Sequence, residues 1–422
     1  MRGSLLNSLF IGLIGLYILA GCRLVPLHGD EPTVIYTSLD FDALRRGDFA
    51  RLVYRDVPDS SDPQAATKQD LRLINGMIAR YTFGALWTAA GMTPAQINDQ
   101  WLWGADMAFN RTNGHVPTAD LLLLCRVGSG LFLWIAAALV FTVGRRAGGI
   151  YTAYLSALIF TLTPAVLLNG RRAMMEGALL CGIALVVYAG QCVAAARSTR
   201  AALRSGIGLG VAAGLCIAAK HTGAVTVTAV GFAISVYMLF RERLRAVRRL
   251  LIVGTVAFAA AAFVFFALNP AWWVEPLQMP GHVLAARSAL LVAQTRDSGG
   301  YASIGERALG FFREFAAAPP QYYEIGIWSE WIDADIARYE ASGLAGISGV
   351  LASALVSALV VVGAVRGVQA WRSGAVFVLL VTFALTTAAI FVTTPLHWQR
   401  YYLPLAAPVA WLAGLAVRRR AV

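Results

Sequence analysis

The sequence predicts an all-α integral membrane protein, and three of its features do so together. Of 422 residues, 58% are hydrophobic and 14% charged, against about 45–50% and about 25% in a soluble domain. The apolar residues gather into about ten runs, each near the ~20 residues that a helical span needs. The charges between the runs are sorted: short loops carry arginine and long loops carry the acids. Lipid offers the backbone no hydrogen-bonding partner, so continuous apolar runs of this length fold as helices.

In chain order the expected spans are 4–22, 119–144, 150–168, 174–196, 205–220, 222–240, 250–268, 342–365, 374–393 and 402–417. Residues 205–240 read as two spans or as one short helical hairpin, which sets a range of nine to eleven. With Arg2 inside, the short loops on the same side carry Arg145–Arg146, then Arg197, Arg200 and Arg204, then Arg241, Arg243, Arg245, Arg248 and Arg249. Arg366 and Arg372 follow, and finally Arg418–Arg420. Basic short loops mark the cytoplasm. Glu242 is the one acid among them, and the rest of the 23 acids lie in outer loops or at their edges. The expected location is the cell inner (plasma) membrane, multi-pass, with N- and C-termini cytoplasmic. L-A-G-C at 19–22 resembles a lipoprotein cleavage box. Cleavage would leave the other nine spans unchanged, and a lipid anchor adds little to nine spans, so a retained first span is expected.

The outer side holds most of the polar chain, in one loop from about 23 to 118 and another from about 269 to 341. Transporters usually spread their polar chain thinly and show internal repeats; no repeat is visible. The chemistry is therefore expected on the outer face, at the membrane boundary. Five cysteines form no CxxC and no Cys/His spacing, so neither a disulfide framework nor a zinc finger is indicated. The net charge of +12 suits anionic partners, but its placement in short loops matters more, and no nucleic acid is expected. Only Lys68 and Lys220 among the 35 basic residues are lysine, which sets Lys220 apart.

Seven motifs are candidates for chemistry. H-G-D-E-P at 28–32 follows the first span almost at once. Asp30 and Glu31 read either as a catalytic carboxylate pair or as a solvated turn. In a low-dielectric setting their proton affinities would separate, giving one base and one positioning group. N-G-R-R-A-M-M-E at 169–176 places Arg172 and Glu176 four apart, hence on one helix face, as an ion pair or as a charged cavity wall. A-A-K-H-T-G at 218–223 puts Lys220 and His221 at an outer span end, as a snorkelling head or as a cation for a lipid phosphate. P-L-H-W-Q-R-Y-Y-L-P at 395–404 brings Arg400 and Tyr401 to the last outer loop, as an aromatic belt or as a phosphate and sugar contact. G-I-G-L-G-V-A-A-G at 206–214 looks like a nucleotide loop but sits inside a span, where helix packing explains it better. P-P-Q-Y-Y-E-I-G-I-W-S-E-W at 319–331 is aromatic and acidic, suited to sugar rings or to headgroups. N-R-T at 110–112 matches a glycosylation acceptor pattern, and chance accounts for it.

In this order the pieces resemble the GT-C fold membrane glycosyltransferases, in the branch of the protein O-mannosyltransferases and the lipid A aminoarabinose transferase. Asp30–Glu31 matches that family's first-loop acidic motif, and K-Q-D-L-R-L-I-N-G-M-I-A-R-Y-T-F-G at 68–84 resembles its juxtamembrane helix. L-L-L-L-C-R-V-G-S-G-L (121–131), V-G-R-R-A-G-G (143–149) and L-T-P-A-V-L-L-N-G-R-R-A-M-M-E (162–176) follow its next spans. The likeness is good over 1–268 and looser beyond. It implies a single polytopic domain, 1–422. That domain has a core module at 1–268 including the loop 23–118, a second outer loop at 269–341 with juxtamembrane helices, and C-terminal helices at 342–422. Glu176 stands where many relatives have Asp, and the mannosyltransferase His-Pro-Pro is absent, so sugar and acceptor stay open. The resemblance implies inverting transfer of a hexosyl or pentosyl group from a polyprenyl-phosphate donor to a hydroxyl acceptor (lipid, glycan or protein) on the outer face. By the family pattern Asp30 is the base, Glu31 orients the acceptor or binds the phosphate side through a cation, and Lys220, Arg400 and Arg172 serve the phosphate. No cofactor is required; a divalent cation near Asp30 and His28 is compatible, but no ligand spacing demands one. The competing readings are a lipid or solute transporter using the same charges as a pathway, and a non-catalytic envelope subunit.

Overall fold

The structure, a computed structural model, describes residues 2–55, 65–243, 245–315 and 319–419. Arg420, the last residue of the final basic cluster, lies outside them.

The chain begins with α1 (Arg2–Gly21), which sends Ile14 and Ile18 into the main core. The first long loop folds into α2 (Asp30–Thr37), α3 (Asp40–Arg46), α4 (Ala65–Ile74), α5 (Met77–Ala89) and α6 (Met107–Thr112). The juxtamembrane helix expected over 68–84 is thus two helices, broken where Gly76 is extended at φ −73°, ψ 154°. α7 (Ala119–Gly148) is capped by Thr118, whose hydroxyl accepts from the Leu121 N–H at 3.4 Å. α8 (Ile150–Leu162) and α9 (Pro164–Arg171) replace the single span expected at 150–168. Thr163–Pro164 bends them apart by 65°, since the residue before a proline avoids the helical region. α10 (Glu176–Ala195), α11 (Thr199–Ala219), α12 (Gly223–Glu242) and α13 (Arg245–Leu268) follow, so 205–240 is two helices. The glycines of α11 face α13: a methyl on Gly206, Gly210 or Gly214 would run into Val253, Ala257 or Ala261. Those glycines serve helix packing.

The second outer loop holds α14 (Met279–Ser298), α15 (Ile304–Phe315), α16 (Gly326–Glu330) and α17 (Asp333–Ala341). The span expected at 342–365 starts later, as α18 (Val350–Gln369). Gly343, Gly346 and Gly349 adopt φ of 70°, 92° and 115°, a region that glycine enters freely and that no helix contains. α19 (Gly374–Thr393) precedes a 3-10 turn at Gln399–Leu405 and α20 (Ala406–Leu415), which together stand where span 402–417 was expected. Among the described residues eight helices are long and apolar enough to cross a membrane, or nine with the bent pair. The upper count of nine meets the lower end of the expected range of nine to eleven. The 3-10 turn and α20 nevertheless lead from Arg400 at one end of the bundle to Ala416 at the other.

The two ends differ in charge. At one end Arg146 bonds the Gln191 carbonyl at 3.5 Å, Arg249 that of Ala196 at 2.6 Å, and Arg418 that of Ala147 at 3.2 Å. The Tyr237 hydroxyl donates to the Arg372 carbonyl there at 3.3 Å, and Arg366 reaches the Ala416 carbonyl. The basic short loops therefore meet at one end. The other end is pinned by Arg171, fully buried. It donates to the carbonyls of Tyr17 and Ile18 at 2.6 and 2.9 Å, to the Tyr339 hydroxyl at 2.7 Å and to the Leu344 carbonyl. A cation on the last carbonyls of a helix satisfies groups the helix cannot, and suits its dipole. This ties α1 to the second outer loop, directly below the start of α2.

Candidate active site

α2 opens with two acids in its first turn, where the helix dipole favours negative charge. Its two carboxylates go opposite ways. Glu31 is fully buried and saturated. Arg126 grips it with Nε and Nη2, both at 2.8 Å. The Ala173 N–H donates to Oε1 at 2.8 Å and the His28 N–H to Oε2 at 3.0 Å. Burial pushes this carboxyl up, but Arg126, Arg172 and the Ala173 N–H more than offset it and hold it below its ordinary value. Glu31 does not line the cavity described below, so it has no oxygen left for acceptor or phosphate. Its geometry is that of a cross-brace between α2, α7 and the 172–175 turn.

Asp30 faces the cavity, its side chain 28% exposed. The Arg400 guanidinium donates to Oδ2; among the described residues nothing bonds Oδ1. Arg400 also lies 3.0 Å from Glu324 Oε1, and the other Glu324 oxygen meets His28 Nε2 at 2.9 Å. His28 Nδ1 accepts from the Asp30 N–H at 3.1 Å. That assigns the ring proton to Nε2, which donates to Glu324. Burial raises the Asp30 carboxyl, yet the charge and hydrogen bond of Arg400 outweigh it, so it stays ionised below its ordinary range. Glu324 is held well below for the same reasons. Arg400 is raised, because Glu324 and Asp30 outweigh its burial. The guanidinium further sits 5.1 Å from the Trp398 ring and 5.8 Å from that of Tyr401, whose hydroxyl donates to Gln294 at 2.9 Å.

Opposite charges meet again at the ends of α10 and α11. Lys220 Nζ donates to Glu176 Oε1 at 2.7 Å, while Glu176 Oε2 is buried without a partner among the described residues. Both line the cavity. Two expectations are corrected here. Arg172 and Glu176 do not share a helix face: α9 ends at Arg171, and Arg172 is extended at φ −62°, ψ 147°. Arg172 is buried and spends its donors on the carbonyls of Pro26 and Tyr322, at 3.1 and 2.9 Å, so it is a brace and not a cavity wall. His221 turns away from the cavity to pack by Trp272 and Phe265, at 6.1 and 6.3 Å between rings. Burial, then Arg287, lowers it to about 4.

The cavity measures about 980 Å³, at the top of the range for a single small ligand. Its charged lining is Asp30, Glu176, Lys220, Arg287, Asp297, Glu324 and Arg400. Sequence reasoning missed Arg287 and Glu324. Arg287, Leu290, Gln294 and Asp297 recur at helical spacing along α14, a stripe that was readable. Glu324 lay in the quoted aromatic segment but reads there as surface. Arg287 donates to the Ile74 carbonyl at 2.5 Å, and among the described residues no carboxylate forms an ion pair with it. Burial pulls it below its ordinary value, and Tyr401 offsets only part. Among the described residues that line the cavity, Arg287 is the cation without an ion-pair partner. Among the described residues no three of His, Cys, Asp and Glu group as metal ligands. The arrangement offers an ionised carboxylate for a proton and fixed positive charge for an anion, in one pocket.

Comparison with known proteins bears on the fold that carries this site. Residues 93–279 match the family model of the dolichyl-phosphate-mannose-protein mannosyltransferases. No curated protein matches the chain. Of solved structures, ArnT from Cupriavidus metallidurans in the apo state is 13% identical, with a TM-score of 0.55, covering 100% of this chain and 61% of its own. The Archaeoglobus fulgidus oligosaccharyltransferase in the apo form is 14% identical, with a TM-score of 0.53, covering 97% and 50%. The same archaeal enzyme, AglB, in complex with an inhibitory peptide and a dolichol-phosphate, is 13% identical at 0.52, also covering 97% and 50%. This chain thus spans between half and two thirds of the length of these three structures. It is a multi-pass membrane protein with the GT-C glycosyltransferase fold, similar over residues 93–279 to the dolichyl-phosphate-mannose-protein mannosyltransferases.

Proposed function

We propose that the chain is an inverting glycosyltransferase of the outer membrane face, moving a sugar from a polyprenyl-phosphate donor to a hydroxyl acceptor. One observation carries the reading. Asp30, Lys220, Arg287 and Arg400 line the same cavity, at the end of the bundle opposite the basic short loops. Basic short loops are usually cytoplasmic, which supports reading the cavity as outer-facing with both termini inside. A dolichol-phosphate sits in the archaeal enzyme that shares the fold, and the cations here suit the same phosphate chemistry.

In this reading the acceptor hydroxyl attacks the anomeric carbon from the face opposite the phosphate. The new carbon–oxygen bond forms as the anomeric carbon–phosphate oxygen bond breaks. Asp30 Oδ1, kept ionised by Arg400, takes the acceptor proton. Arg287 and Lys220 stabilise the charge that gathers on the departing lipid phosphate. Glu31 and Arg172 hold α2 in place and touch neither substrate. Glu324 aims Arg400 and His28. One inversion needs one base, so a second carboxylate in the cavity is not required to react.

The test is donor consumption by purified protein in sealed vesicles, with radiolabelled polyprenyl-phosphate sugars on the outer side. The reading expects label in a new glycosidic product. Movement of labelled lipid across the vesicle without a new bond would support the transporter instead.

A further inference from the structure

One wall of the cavity consists of indole. Trp101, Trp103 and Trp328 line it, with Trp103 between the others, 6.1 Å from Trp101 and 5.0 Å from Trp328 between ring centres. The loop that carries it is rigidly held. Asn110, fully buried, accepts from the Leu102 N–H at 2.9 Å. It donates to the carbonyls of Leu102, Ala105 and Asp106 at 3.0, 3.3 and 2.9 Å. The N-R-T pattern is therefore a structural staple, with its asparagine closed to modification. The wall also adjoins the proposed base. Gly29 precedes Asp30, and a methyl there would stand 2.7 Å from Trp103 and 2.8 Å from Trp101 Nε1.

Three buried polar atoms in this wall have no hydrogen-bond partner among the described residues: Trp101 Nε1, Gln100 Oε1 and His115 Nδ1. Their residues all line the cavity, and its lining between 100 and 115 holds no Asp, Glu, Lys or Arg. Buried polar atoms without partners are rare and call for an explanation. Unpaired polar atoms beside aromatic faces, with no Asp, Glu, Lys or Arg among them, match a neutral sugar ring. The C–H bonds on one face of such a ring rest on a π surface of opposite polarity, and its hydroxyls both donate and accept.

We infer that this wall is the acceptor subsite and that the acceptor is a neutral glycan. Its ring stacks on Trp103, its hydroxyls bond Gln100, Trp101 and His115, and the reacting hydroxyl is delivered to Asp30. The inference rests on the transferase reading above.

The experiment uses the full chain in nanodiscs. Saturation-transfer NMR reads binding of neutral hexose oligosaccharides and, separately, of Ser/Thr peptides; competition with labelled undecaprenyl phosphate reads the donor end. At least one oligosaccharide is expected to take saturation on its ring protons. Trp103→Ala should weaken it about tenfold, the factor that one aromatic contact supplies, and Trp103→Phe should restore most of that. Trp103 is 39% exposed, so both variants are expected to fold and to bind undecaprenyl phosphate as the wild type does. Lipid phosphate bound without any oligosaccharide, or peptides bound in a Trp103-dependent way, would overturn the glycan subsite. A wild type that binds oligosaccharide but no lipid phosphate would instead overturn the transferase reading beneath it.

Discussion

Glu31→Gln separates a brace from a reactant. Glu31 accepts four hydrogen bonds, two of them from Arg126, and Arg126 is itself only 5% exposed. Taking one partner from a buried ion pair costs about 3–5 kcal/mol, because the other charge is left without compensation. Gln keeps the shape and one acceptor oxygen but not the charge, so Glu31→Gln and Arg126→Met should each destabilise by about 3–5 kcal/mol. The double variant should cost ~2–3 kcal/mol less than the sum, as coupled neighbours do. Denaturant unfolding in mixed micelles, followed by tryptophan fluorescence, reads all three. The pH dependence has a definite sign. The Glu31 carboxyl titrates lower folded than unfolded, so its contribution is full above the unfolded value of about 4.3. It is lost as pH falls through the lower folded value. Folded Glu31→Gln protein should still transfer sugar, slowed by displacement of α2 and not by loss of a reacting group. Wild-type stability with transfer abolished would refute this assignment and restore Glu31 as a reactant.

Three further outcomes are expected. Lys220→Met should destabilise by about 3–5 kcal/mol by stranding buried Glu176, and adding Glu176→Gln should recover much of it; an unchanged melting temperature in Lys220→Met would show that the pair is not buried in the working protein. Arg287→Gln should weaken polyprenyl phosphate by about ten- to a hundredfold, the worth of a charged hydrogen bond, with little change in stability, since no carboxylate depends on it; equal affinity in a lipid competition assay would remove it from the phosphate site. His221 stays neutral down to about 4 when folded but titrates near 6.5 unfolded. Protein stability should therefore fall as pH drops through that window, and His221→Phe should flatten the slope; a wild type whose melting temperature is flat there would contradict the buried placement.

The fold was legible because bilayer physics writes long signals. Apolar run length located most spans, and arginine placement sorted the loops into the two ends that the structure shows. The errors came from local breakers. Thr163–Pro164 split one expected span, and three positive-φ glycines delayed another. At the site, the H-G-D-E-P stretch announced two carboxylates but could not say that they part company. Their partners are 95 residues away in Arg126 and 370 residues away in Arg400, and nothing local encodes such pairings. Periodicity misled at Arg172 and Glu176, because counting by four assumes a helix that the 172–175 turn interrupts. Lys220 was singled out by residue choice alone and does line the cavity. Arg287 carried a periodic signal along α14, within an outer loop where juxtamembrane helices were expected but given no bounds.

The most direct test of the central claim compares wild type with Asp30→Asn across a panel of radiolabelled polyprenyl-phosphate sugars, with the anomeric configuration of the product determined. The account predicts that one donor is consumed by the wild type, that its product is inverted, and that Asp30→Asn binds that donor equally but turns it over about 10²–10⁴-fold more slowly. Undiminished transfer by folded Asp30→Asn, or a product of retained configuration, would contradict it.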